Sequence, residues 1–66
     1  MRRLHVDFNN LIGSRVLPVP NRGLSFAVGE HVAVSDDGTD VYEAVVLGTS
    51  EDTVFLEVSD KVLEDA

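Results

Sequence analysis

The chain contains no cysteine. Disulfides, thiolate metal sites and cysteine nucleophiles are therefore excluded, and the composition is compatible with a reducing compartment. Basic residues are few, five against twelve acids, and the formal net charge is −7. Such a chain repels a phosphate backbone, so a nucleic-acid partner is not expected. Aromatics are limited to Phe8, Phe26, Tyr42 and Phe55, too few for an exposed stacking platform interleaved with Lys or Arg. No apolar run approaches the ~18 residues that span a bilayer. Arg2 and Arg3 are not followed by an apolar stretch, so a secretory signal is not expected either. These absences predict a soluble, cytoplasmic protein without a membrane partner.

What remains is a single domain, residues 1–66. A chain this short buries only roughly 60% of its unfolded surface, so its core is marginal. A metal or a partner subunit is the usual reinforcement once disulfides are excluded, and a homodimer is one such solution. The apolar fraction is 44%, mostly Val, Leu, Ile and Phe, which favours strands. Charge is unevenly placed. Four arginines against one aspartate give residues 1–28 a net +3; eleven acids against one lysine give residues 29–66 a net −10.

Residues 28–58 form the densest strand patterning and predict a three-stranded antiparallel meander. His31 to Ser35 places Val32 and Val34 inward. Asp37-Gly38, within the turn 36–40, supplies the positive φ of a tight hairpin. Val41 to Leu47 is nearly all apolar, which predicts at least partial cover on both faces. A second turn follows at 48–52, then Thr53 to Val58, with Val54, Leu56 and Val58 on one face.

The segment 1–27 supplies N-terminal strands and cover. Residues 3–8 alternate, with Leu4, Val6 and Phe8 on one side. Gly13-Ser14 interrupts the pattern after Leu11-Ile12. Pro18 and Pro20 lack backbone donors and place the run 15–19 at a sheet edge, where they blunt edge-to-edge association. Asn21-Arg22-Gly23 reads as a turn, and Leu24, Phe26 and Val28 alternate as inward residues. Residues 59–66 form an acidic tail in which Val62 and Leu63 make a helical turn or the chain frays.

The meander resembles the Src-homology-3-like small barrels, Tudor and KOW modules among them. The resemblance rests on Val28-Gly29-Glu30, Val32 and Val34, Asp37-Gly38, Tyr42-x-Ala44-x-Val46 and Val54-x-Leu56, about half of the chain. It implies an all-β fold, a small five-stranded antiparallel barrel. Members that read methylated side chains use a cage of aromatics; Tyr42 stands where a cage member sits, with Phe55 on the next strand. The Pro-containing run followed by Gly29-Glu30-x-Val32-x-Val34 also resembles swapped-hairpin regulators and antitoxin DNA-binding modules. That likeness implies an interlocked dimer with Arg2, Arg3, Arg15 and Arg22 toward DNA.

No catalytic constellation is legible. Serines occur, but none in Gly-x-Ser-x-Gly, and no glycine-rich phosphate loop is present. A calcium frame of twelve residues opening at Asp36 would end at Leu47, where a bidentate Glu is required. His5 and His31 with Asp7 or Glu30 could form a metal set only if the fold brought them together. The sequence thus favours a non-catalytic protein-interaction or adaptor module with no cofactor and a protein partner of basic character. The alternative is a DNA-binding regulator or antitoxin of the swapped-hairpin type. Candidate binding residues are Tyr42, Phe55, Arg15 and Arg22.

Overall fold

The structure, a computed structural model, describes residues 1–13, 15–38 and 40–64. Those parts of the expected turns and tail that fall on Ser14, Thr39, Asp65 and Ala66 lie outside the described residues. The fold is all-β. Five strands, β1 (Arg2–His5), β2 (Val16–Pro20), β3 (His31–Ser35), β4 (Val41–Thr49) and β5 (Thr53–Glu64), form one sheet in the order β1-β3-β4-β5-β2. The expected meander is present: β3 pairs antiparallel with β4, and β4 with β5. The alternation of small β-branched residues on either side of polar turns specifies both hairpins.

The all-antiparallel expectation fails at one margin. β1 pairs parallel with β3, Arg2 beside Val32 and His5 beside Ser35. The strand is also shorter than 3–8. Asp7 accepts the Asn9 N–H through its carboxylate at 2.9 Å and caps a single 3-10 turn, Phe8–Asn10, which tips Phe8 onto the core.

Hydrogen bonding does not close the sheet into the expected barrel. The register gives a reason. Val58 N–H donates to Arg15 O and Asn21 N–H to Asp52 O, so in β2 the odd-numbered residues face β5. Val16, Pro18 and Pro20 therefore turn their backbone groups outward. Val16 is used by a two-way bridge to Ile12, and the prolines have no N–H to give. The β2 margin beyond Val16 thus presents acceptors only. The sheet still curls, so that β1 and β2 line common clefts across an open seam.

One face of the curled sheet holds the core. Leu17, Val32, Val34, Ala44, Val54 and Leu56 are fully buried, with Val6, Val19, Val46 and Val58 around them. Leu4, Phe8, Phe26 and Tyr42 pack against this cluster from its edges. The expected inward set 24, 26, 28 is corrected: Phe26 covers the core, but Leu24 is 52% and Val28 71% exposed. Their stretch has no strand partner, so alternation has no pleat to act on. Val41 to Leu47 is partly covered on both sides, as expected: Val45 is half-buried and Leu47 is 45% exposed. The tail is neither helical nor frayed through Glu64. β5 continues past a bulge, in which Ala44 pairs with Val58 but Tyr42 with Val62.

That bulge is built by Ser59. Its hydroxyl donates to Glu43 O at 3.0 Å and accepts the Lys61 N–H at 3.1 Å. The extra residues of β5 are looped out without losing the ladder on either side.

Candidate functional site

The four sequence candidates fall in three places. Tyr42 and Arg15 come together. The Tyr42 ring meets Phe8 edge to face, with centroids 5.8 Å apart and planes at 86°, a preferred aromatic geometry. Beside this pair a shallow cleft of about 270 Å³ is walled by Leu11, Val58, Ser59 and the ion pair of Arg15 with Asp60. Arg15 also donates to Val58 O at 3.4 Å. The bulge at Ser59 is what carries Asp60 to Arg15, so the irregularity in β5 shapes the cleft mouth.

Phe55 lies elsewhere. It stands between Val54 and Leu56, both fully buried, and so points to the opposite, outer face. Tyr42 and Phe55 thus cannot share an aromatic cage. The outer face is not legible in the sequence, because its cross-strand rows exist only once the strand register is set. One row runs Val16, Glu57, Val45, His31; the next sets Phe55 beside Pro18 and Gly48. Val16, Pro18, Val45 and Phe55 are half-buried, and Leu47 is exposed at the rim. A solvated antiparallel sheet face ordinarily alternates to polar residues. Here half of it is apolar, and among the described residues no second layer covers it.

The other half of that face is charged and internally paired. His31 Nδ1 lies 2.9 Å from Glu43 Oε2, Lys61 Nζ 3.8 Å from Glu43 Oε1, and Arg3 3.2 Å from Glu64. The hydrogen bond from His31 holds the Glu43 carboxyl below its ordinary value, with Lys61 adding to the effect and desolvation opposing it. Glu57, in the apolar half, is exposed and makes no ion pair among the described residues.

Arg22 sits at the seam. It occupies the left-handed region at φ 53, followed by Gly23 at φ 79, and Leu24 N–H closes the turn onto Asn21 O at 2.9 Å. It is the one Lys or Arg among the described residues without an ion pair, since Arg2 grips Glu30, Arg3 Glu64, Arg15 Asp60 and Lys61 Glu43. The four arginines do not form one face: Arg15 borders the Tyr42 cleft, whereas Arg3 and Arg22 border the seam.

The histidines are separated. His5 lies beside Ser35, four residues along β3 from His31, roughly 13 Å at strand rise. Each has its own acid, Asp37 at 2.8 Å and Glu43 at 2.9 Å. Among the described residues no group of three His, Cys, Asp or Glu is placed to hold a metal ion, and no helix is long and apolar enough to cross a membrane. In comparisons with known proteins, no family model, no curated protein and no solved structure matches the chain.

Proposed function

We propose that the chain is a non-catalytic protein-interaction module whose contact surface is the apolar half of the outer sheet face. The observation that carries this reading is the cluster of half-buried Val16, Pro18, Val45 and Phe55 with exposed Leu47 beside Glu57, which makes no ion pair among the described residues. Contiguous apolar surface on a small protein marks an interface more often than a solvated face. Removing such side chains from water contributes about 25 cal/mol per Å².

The partner is basic. Glu57 stands within the patch, and the turn residues Glu51 and Asp52 are exposed nearby in sequence. The described cations other than Arg22 are already held by other carboxylates, so the patch acids have no internal counter-charge. A second copy placed face to face would bring two like-charged patches together, which costs affinity. The resemblance to small barrels supports this role, since the curled sheet brings its two margins to common clefts.

The test is affinity capture with the wild type, Phe55→Glu and Glu57→Lys side by side, with bound proteins quantified by mass spectrometry. Basic proteins retained by the wild type and lost by both variants are expected. An identical capture profile for all three, with both variants folded by circular dichroism, overturns the proposal.

A further inference from the structure

The open seam has chemistry of its own. Val6 N–H donates to Ser35 O at 2.9 Å, which fixes the even-numbered residues of β1 toward β3. Arg3 and His5 therefore turn both N–H and C=O away from the sheet, into the seam. Across it stand the carbonyls of Pro18 and Pro20, without a donor between them. Had β1 and β2 paired, the Arg3 and His5 carbonyls would have faced proline nitrogens. Closure would lose half the bonds of the ladder, so the β1 margin is left open to another strand.

The groove at this margin has a volume of about 290 Å³, an apolar floor and a basic rim. Leu4, Val19 and Phe26 form the floor; Arg3 and Arg22 stand at the rim. Arg3 is bound only by an exposed pair with Glu64 at 3.2 Å, a contact of little strength, and Arg22 has no acid. The adjoining cleft of about 370 Å³ is lined by Arg22 and His5 together with Asp7, Asp36 and Asp37, so Arg22 stands between the two clefts, and an acidic side chain is favoured on its groove side, away from the three aspartates.

We infer that the seam is a strand-addition site for an extended segment of a partner protein, bearing acidic side chains at the Arg3 and Arg22 end. Its backbone pairs with Arg3 and His5 as an added edge strand. Alternate apolar side chains drop onto Leu4, Val19 and Phe26, and its free N–H groups face the acceptor-only margin of β2. The surface is distinct from the apolar half of the outer face, Arg3 being shared with that face's charged half, and the ligand has the opposite charge.

The experiment is selection of a randomised peptide library against the protein, followed by amide NMR of the labelled protein with an enriched synthetic peptide. Enriched peptides should alternate apolar residues and carry Asp or Glu toward one end. Binding should shift the Arg3 and His5 amides and slow their hydrogen exchange. N-methylation of alternate peptide amides should abolish binding, because it removes the paired donors. Arg22→Glu, at an exposed turn position, should weaken binding about tenfold while leaving the spectrum folded. Failure to enrich any such class, enrichment only of basic peptides that shift Val45 and Phe55, or full affinity for the N-methylated peptide overturns the inference.

Discussion

Arg2 lays its guanidinium over the Phe26 ring, 4.0 Å from the centroid, while its Nε and Nη2 hold both carboxylate oxygens of Glu30 at 2.9 Å. The same Nη2 donates to Ser25 O at 2.7 Å. One side chain of β1 thus staples the connection between β2 and β3 onto the sheet. Arg2→Ala should release that connection: the Ala27 amide, which donates to Glu30 Oε1 at 3.2 Å, should exchange faster, and the melting temperature should fall. Unchanged exchange at Ala27 would mean that Phe26 packing alone holds the segment.

Acid should loosen the same staple. The Ala27 N–H and the Arg2 guanidinium hold the Glu30 carboxyl below 4.5, and the His31 hydrogen bond does so for Glu43. Carboxyls lowered in the folded state bind fewer protons than in the unfolded chain, so they stabilise the fold. That contribution is complete above about pH 4.5 and is lost as pH falls through the lowered values. Urea midpoints measured against pH should drop in this window, and Glu30→Gln with Glu43→Gln should flatten the drop.

Leu17 and Leu56 are register partners and both are fully buried. Leu56→Ala should cost about 2–5 kcal/mol. A domain this small has little in reserve, so the variant should be largely unfolded by urea titration at ambient temperature. Phe55→Ser, one residue away on the outer face, should be much milder.

Arg22 and Gly38 test the turns in opposite directions. Arg22 holds φ 53, which is costly for a residue with a Cβ; Gly38 holds φ 72 at no such cost. Arg22→Gly should stabilise the fold by up to about 1 kcal/mol, whereas Gly38→Ala should destabilise it by about 1–2 kcal/mol. No atom lies within 4 Å of a Cβ built on Gly38, so the second effect is backbone strain alone. Equal denaturation midpoints for Gly38→Ala and the wild type would refute this.

Restoring donors to the β2 margin should make it adhesive. Pro18→Thr with Pro20→Thr gives two N–H groups to an edge that has none. The variant should either close the seam, with slowed hydrogen exchange at the Arg3 and His5 amides, or associate with rising concentration in light scattering; a variant that does neither would refute this role of the prolines.

Much of the fold was legible because local pattern and global pairing agree in residues 31–58. Val32, Val34, Val54 and Leu56 alternate and all reach the core. Pro18 and Pro20 marked an edge from their missing donors alone. What was not legible depends on distant partners. Alternation at Leu4 and Val6 says nothing of strand direction, so the parallel pairing of β1 was invisible. Leu24 and Val28 alternate without a neighbouring strand and stay exposed. The tail continues as β5 because Ser59 organises a bulge, and a lone serine carries no such signal. Of the candidate residues, Tyr42 and Arg15 meet only through that bulge. Phe55 belonged to a cross-strand row that cannot be read before the register is known.

The parallel docking of β1 also bears on the order of folding. The first twenty residues supply both outer margins of the sheet and none of its centre. As the chain leaves the ribosome, β1 has no template until β3 has emerged, and β2 has none until β5 has. The two C-terminal hairpins, closed by short local loops, should therefore form the nucleus, and the N-terminal strands should join late. In kinetic terms, substitutions in β4 should slow folding, whereas those in β1 should chiefly speed unfolding.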